Sequence, residues 1–266
     1  VRVLVVLPTY NEAANIATVL ERVRQALPEA CVLVVDDNSP DGTGDIVEKV
    51  AATFDQISLL RRAGKAGLGS AYRDGFRWGL QRGFDVLVEM DSDLSHDPDA
   101  LGSLVAPIDE GFELSIGSRY VPGGSIPNWA LSRRLISRGG NLYADVLLGL
   151  GVRDATAGFR AYAATLLRRI DLDAVRANSY GFQIEMTYRA LQAGAKVTEV
   201  PIRFVDRALG TSKMSTYTVV EALVLVTRWG LRRLLAGASR SAKALLASRG
   251  PRGGGSSSLG AGGAGD

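Results

Sequence analysis

The chain has 266 residues, 46% of them apolar and 22% charged, which is enough for a full core in one large α/β domain or two small ones. One cysteine, Cys31, excludes an intrachain disulfide; with no visible secretory leader, it reads as a buried small hydrophobe in a reducing compartment. The net charge of +3 is uneven: seven basic residues and no acid lie between Thr227 and Arg252, so the body is mildly acidic and no broad nucleic-acid face is expected.

In chain order, Val1–Leu7 reads as a buried strand. Pro8-Thr9-Tyr10-Asn11-Glu12 follows, with Asn11 as the N-cap of a helix from Glu12 to Leu27. Cys31–Val35 is a second strand that runs into Asp36-Asp37, and the turn Asn38–Thr43 leads to a helix beginning near Gly44. Ile57–Leu60 is a third strand, and the glycine-rich Gly64–Gly69 enters a helix ending near Gln81. That stretch is neither a phosphate loop nor a dinucleotide fingerprint, which sets aside kinase and dehydrogenase readings. Val86–Met90 is a fourth strand, followed by a helix over Asp99–Asp109 and a strand at Glu113–Gly117. Strands alternating with helices imply a doubly wound, largely parallel sheet.

The fourth strand delivers Asp91-Ser92-Asp93 to the carboxyl edge, where open α/β sheets bind ligands. Two carboxylates one residue apart in a turn can reach one hard cation, and Mg²⁺ and Mn²⁺ favour one or two carboxylates plus substrate phosphate oxygens. The same tripeptide also suits a helix N-cap ahead of Pro98. Acids recur after each of the first strands, so Pro8–Glu12, Asp36–Thr43 and Asp91–Asp93 are expected on one edge, where they can hold a nucleotide. The second half is rich in cations at presumed loops and ends: Arg119, the group Arg133, Arg134, Ser137 and Arg138, then Arg160, Arg207 and Lys213. Helical spacing lets several of the 133–138 group face one anion. Glu185 falls in a helix over Phe182–Gln192, and Lys196–Val205 reads as a hairpin-like segment.

Four blocks then carry a resemblance. Pro8-Thr9-Tyr10-Asn11-Glu12, Asp36-Asp37-Asn38-Ser39-Pro40-Asp41-Gly42-Thr43, Met90-Asp91-Ser92-Asp93-Leu94-Ser95-His96 and Phe204-Val205-Asp206-Arg207 with Gly210-Thr211-Ser212-Lys213 resemble the polyprenyl-phosphate (dolichol-phosphate) mannose synthases, inverting enzymes of glycosyltransferase family two. Gly181-Phe182-Gln183-Ile184-Glu185-Met186 and Asp154 with Gly158-Phe159-Arg160 point to the mannose branch. The resemblance implies a GT-A fold over residues 1–213, a largely parallel sheet flanked by helices. It implies that Pro8, Tyr10, Glu12, Val35, Asp37 and Lys65 hold the guanosine end of GDP-mannose. Asp91 and Asp93 would bind Mg²⁺ or Mn²⁺ at the diphosphate, with Ser92 lining the turn. Ser95 stands where some members carry a glutamine as third metal ligand, and its side chain is shorter. Arg119, Arg133 and Ser137 would surround the acceptor phosphate, while Asp93, Arg119, Arg207 and Lys213 carry the catalytic roles.

The chemistry agrees with this allocation. A phosphate monoester has its second ionisation near pH ~6, so the acceptor is already nucleophilic and needs no base. Accordingly, the only histidine, His96, is read as a structural hydrogen-bonder. A transferase of UDP-glucose to polyprenyl phosphate and a non-catalytic nucleotide-binding module are the alternatives.

No run of ~20 apolar residues offers a transmembrane helix. Within 214–249, Trp229, Leu231, Leu234 and Leu235 interleave with Arg228, Arg232 and Arg233, as in a basic amphipathic helix lying in a headgroup plane. A peripheral enzyme on the cytoplasmic membrane face is expected, with room for a membrane-protein partner and with residues 250–266 as a disordered Gly/Ser-rich tail.

Overall fold

The computed structural model describes residues 1–178, 180–206 and 222–235. Seven strands form one sheet: β1 (Val3–Thr9), β2 (Cys31–Asp36), β3 (Ile57–Arg61), β4 (Val86–Glu89), β5 (Leu114–Ser118), β6 (Arg160–Ala163) and β7 (Val197–Pro201). Their order is β3-β2-β1-β4-β6-β5-β7. Every pairing is parallel except those of β6, which runs antiparallel to both β4 and β5. The helices are α1 (Ile16–Ala26), α2 (Thr43–Ala51), α3 (Leu68–Gln81), α4 (Leu101–Asp109), α5 (Leu131–Leu148), α6 (Ala164–Arg169) and α7 (Tyr180–Gln192). Residues 222–235 form a further helix, α8.

The inner strands read as unbroken apolar runs because both faces of the sheet are covered. Leu4, Val6, Leu33, Val35 and Leu87 enter one core with residues of α3 and α7, while Val5, Leu7, Val32, Val34, Val86 and Val88 enter the other with α1 and α4. On the first face, α3 lies very close to the sheet. A Cβ at Gly75 would stand 2.4 Å from Val6 Cγ1, and one at Gly79 would stand 2.7 Å from Leu4 and Leu87 side chains.

Several expected boundaries shift for physical reasons. β1 continues through Pro8 because its ladder to β4 covers only Val3–Val6, so the missing proline N–H costs no bond on that side. α1 begins at Ile16, since Asn11 turns the chain at φ 60° before the helix can start. A 3₁₀ turn, Pro98–Ala100, precedes α4. Lys196–Val205 is not a hairpin: β7 pairs parallel with β5, and Arg203 and Phe204 make single bridges to Ser125 and His96. The partners of that segment lie far away in the chain, where local pattern gives no sign of them.

Candidate active site

The carboxyl ends of β1, β2 and β4 open onto one cleft of about 690 Å³, lined from the three expected turns and from α5, α7 and α8. Among the described residues, the three non-glycine positions with positive φ lie in or directly after these turns: Asn11 at 60°, Asn38 at 57° and Leu94 at 62°. Asparagine tolerates this conformation, but for Leu94 it costs roughly 1–2 kcal/mol. Leu94 packs its side chain on the core, so the strained turn aims Asp93 and Ser95 back into the site.

Within that turn the side chains fix one another. Ser95 donates both its N–H and its hydroxyl to Asp93 Oδ1, at 3.0 and 2.5 Å. Ser92 Oγ donates to the Pro8 carbonyl at 2.9 Å, which ties the turn to β1. Tyr72 on α3 donates to Asp91 Oδ1 at 3.4 Å, and the Asp91 N–H points at His96 Nδ1 at the same distance. His96 is buried between Phe159, stacked at 5.2 Å, and Phe204, edge-on at 5.4 Å. Burial pushes its pKa down to about 4, so the ring is a neutral acceptor. This agrees with its expected role as a structural hydrogen-bonder.

The second strand-end turn divides its acids between two tasks. Asp36 accepts from Thr9 Oγ1 and from the N–H and hydroxyl of Ser39, and Asp41 accepts from Ala13 and Thr43. Those two build the turn. Asp37 lines the cleft, paired with Arg62 at 2.6 Å and accepting the Ala66 N–H at 3.3 Å. Burial raises its pKa above the ordinary carboxylate range, and the Arg62 charge opposes that shift. Tyr10 lies beneath Lys65, whose Nζ is 4.4 Å from the ring centroid, and both line the cleft with Pro8 and Glu12. Val35 does not: its side chain is fully buried in the core with Val6 and Leu33, which corrects its expected place against the nucleotide.

Cations and aromatics make the next part of the cleft. Arg119, at the end of β5, grips Asp154 through Nε at 2.7 Å and Nη2 at 2.6 Å, and Nη2 also reaches Thr156. Trp129 and Phe204 flank it at 5.4 and 5.5 Å. Arg133 lies 3.9 Å from the Trp129 ring and pairs with Asp206 at 2.8 Å, and Asp206 also accepts from Trp129 Nε1. Ser137 accepts from the Tyr120 hydroxyl at 2.7 Å. The segment 131–138 is the first part of α5, and it does not present all its arginines to one anion. Of its polar candidates, Arg133 and Ser137 line this cleft, and Arg134 and Arg138 line another. Arg207 and Lys213 lie outside the described residues, as do the proposed limits of the C-terminal tail.

Sequence reasoning missed the polar layer beneath the carboxylate turn. Glu89, Arg160, Tyr162 and Gln183 are buried together, because antiparallel pairing sets Glu89 directly opposite Arg160. Arg160 donates to the carbonyls of Ala155, Ala157 and Gln183 and to Thr187 Oγ1. Burial pushes Glu89 up to about pKa 7, with the Arg160 charge opposing. An acid in an otherwise apolar strand and an arginine in Phe159-Arg160-Ala161 were the visible signals. Their pairing depends on β6 being inserted between β4 and β5.

Asp91, Ser92, Asp93 and Ser95 all line the cleft. Among the described residues no three acid, histidine or cysteine side chains gather as a full metal cage. Two carboxylates that line the cleft still suit a hard cation that takes its remaining oxygens from a diphosphate. Ser95, at the position where some members carry a longer glutamine, donates its hydroxyl to Asp93 and so orients that carboxylate.

Comparison with known proteins agrees with this geometry. Residues 4–171 match the family model of glycosyl transferase family 2. An undecaprenyl-phosphate mannosyltransferase of Micrococcus luteus is 54% identical over 230 residues, covering 86% of this chain and 94% of the relative. A polyprenol monophosphomannose synthase of Mycolicibacterium smegmatis is 50% identical over 232 residues, covering 87% and 88%. Among solved structures, glucosyl-3-phosphoglycerate synthase of Mycobacterium tuberculosis in complex with phosphoglyceric acid superposes with TM-score 0.62 at 20% identity, over 85% of this chain and 78% of that one. A mannosyltransferase of Pyrobaculum calidifontis in complex with GDP-Man and Mn²⁺ has TM-score 0.53 at 18% identity, over 93% and 79%. The fold is GT-A, and the chain belongs to glycosyltransferase family 2, in its polyprenyl-phosphate mannose synthase branch.

Proposed function

We propose that the enzyme moves mannose from GDP-mannose to a polyprenyl phosphate with inversion at the anomeric carbon, working on the cytoplasmic face of a membrane. The observation that carries this reading is the continuity of one cleft. It runs from the carboxylate turn, past Arg119 and Arg133, to a mouth lined by Ile136, Tyr143, Leu223 and Val226. A nucleotide, a phosphate and a hydrocarbon chain thus each meet matching chemistry in order.

At the polar end, Pro8, Tyr10, Glu12, Asp37 and Lys65 bind the guanosine. Asp91 and Asp93 are assigned to hold Mg²⁺ or Mn²⁺, with Asp93 held in orientation by Ser95. A divalent cation there supplies Lewis-acid neutralisation of the diphosphate. Arg119, Arg133 and Ser137 receive the acceptor phosphate and align it for in-line attack, which is catalysis by orientation and preorganised charge. No proton need be removed from a phosphate monoester ionised near pH ~6. Arg207 and Lys213 are assigned to clamp the phosphates from the resemblance of their motif.

Membrane association is supported by two neighbouring helices. α5 exposes Leu131, Leu135, Leu142 and Val146 along one stripe, and α8 exposes Val224, Leu231, Leu234 and Leu235 beside Arg228 and Arg232. The two pack together through Tyr143 and Thr227, while Trp229 turns inward onto Tyr188. No described helix is long and apolar enough to cross a membrane. A surface of this type inserts shallowly among headgroups. The free Cys31 supports a reducing side of that membrane, and a membrane-protein partner remains compatible with this surface.

The test is radiolabelled sugar transfer to polyprenyl phosphate from GDP-mannose and from UDP-glucose, with and without EDTA. Transfer from GDP-mannose alone, lost with EDTA, is the expected result. Transfer from UDP-glucose, or EDTA-resistant turnover, refutes the donor or the metal assignment respectively.

A further inference from the structure

Arg134 and Arg138 stand one helical turn apart on α5 and line a second pocket of about 280 Å³ with Tyr120, Ser125, Ile126 and Arg119. No carboxylate lines this pocket, and among the described residues neither arginine forms an ion pair. Arg134 Nη2 donates to the Ile126 and Pro127 carbonyls at 2.6 and 3.3 Å, which fixes the guanidinium against the loop. Its buried Nε has no hydrogen-bond partner. Arg138 lies 5.4 Å from the Tyr120 ring and is exposed. Like charges four residues apart on a helix repel. An oxyanion in the pocket relieves that repulsion and suits the guanidinium fork.

The position of the pocket selects the source of the oxyanion. At 3.6 residues per turn, Arg138 falls on the side of α5 that carries the exposed stripe of Leu131, Leu135, Leu142 and Val146. A group bound at Arg134 and Arg138 therefore sits at the edge of the apolar surface, at headgroup depth. The acceptor phosphate is assigned to the other cleft, where Arg133 and Ser137 point. Arg119 lines both pockets, and its guanidinium is engaged by Asp154.

We propose that Arg134 and Arg138 form a binding site for the phosphate of an anionic membrane lipid, distinct from the acceptor site. This site sets how the enzyme lies on the bilayer. It rests on the membrane-surface reading above and adds a lipid charge requirement to it.

The test is co-sedimentation of the full chain with vesicles of phosphatidylcholine alone and with vesicles half of phosphatidylglycerol. Each arginine near an anionic surface contributes about fivefold in affinity, so Arg134→Gln with Arg138→Gln is expected to lose ~25-fold on anionic vesicles and nothing on neutral ones. Turnover of a short, water-soluble polyprenyl phosphate stays at the wild-type level. Arg138→Gln alone leaves the loop contacts of Arg134 intact and is expected to lose about fivefold. Wild-type affinity for anionic vesicles in both variants overturns the proposal. So does an equal loss on neutral vesicles, or an equal loss of turnover on the short acceptor, which would hand the pocket to the acceptor. Inorganic phosphate that binds the wild type and not the Arg134→Gln, Arg138→Gln variant in calorimetry, while displacing neither from anionic vesicles, marks a free-anion site and overturns it too. If the wild type binds both vesicle types equally, only this site falls. If it binds neither, the membrane reading falls with it.

Discussion

Removing the negative partner of Arg119 exposes the main electrostatic dependency of the site. Asp154 is fully buried and Arg119 is 8% exposed, and two short guanidinium bonds plus the Arg119 N–H at 3.0 Å converge on that one carboxylate. Breaking such a pair from one side leaves an uncompensated buried charge and costs about 3–5 kcal/mol. Asp154→Asn keeps the shape, removes the charge and places an amide group against the guanidinium. We expect a loss of that size in urea unfolding, with the slope unchanged. Turnover should fall more than GDP affinity, because Arg119 swings away from the acceptor phosphate while the nucleotide turns stay in place. Arg119→Leu and Asp154→Leu should each be strongly destabilising, and the double variant should lose much less than their sum. Additivity within about 0.5 kcal/mol would show that the two charges do not depend on each other and would refute the argument. Full turnover in Asp154→Asn would refute the role given to Arg119.

Other consequences can be checked as directly. Ser95→Ala removes a charge-assisted bond worth about 1.5–3 kcal/mol from Asp93, so the metal concentration for half-maximal turnover should rise while GDP-mannose saturation at high metal is retained; an unchanged metal titration refutes this. Arg62→Leu leaves only the Ala66 N–H to oppose burial at Asp37, raising its pKa further. GDP binding should then weaken as pH falls through that raised value and recover as pH rises, and calorimetry showing a flat profile refutes it. Gly75→Ala sets a methyl against Val6, an overpacking cost of roughly 1–3 kcal/mol that exceeds the ~1 kcal/mol of helix propensity gained, so Tm should fall; an equal or higher Tm refutes the close approach. Leu135→Asp with Val146→Asp should abolish vesicle binding and spare turnover of a short soluble acceptor; retained binding removes α5 from the membrane face.

The carboxylate turn, the succession of strands and helices in the first half and the edge on which their turns gather are legible because they rest on local signals. Apolar runs end in acids, and Pro, Asn and Gly mark the turns between them. Within those same turns the sequence assigns Asp37 to the nucleotide, while the turn-building bonds of Asp36 and Asp41 show only in the structure. Asp37 and Asp36 are neighbours, yet one lines the cleft and the other is consumed by Thr9 and Ser39. The resemblance sets Val35 at the nucleotide, but strand alternation sends its side chain into the core. Arg133, Arg134 and Arg138 share a segment, and only helix packing sends them into two pockets.

By itself, then, the sequence determined the α/β class and the cleft edge, since hydrophobic runs and turn residues act over a few neighbours, and its motif blocks pointed to the transferase family by resemblance. The tertiary structure alone decided the antiparallel insertion of β6, the Glu89–Arg160 layer beneath the carboxylate turn and the capture of Arg119 by Asp154. Those depend on residues 35 or more positions apart being brought into register, and no local pattern encodes a pairing at that distance.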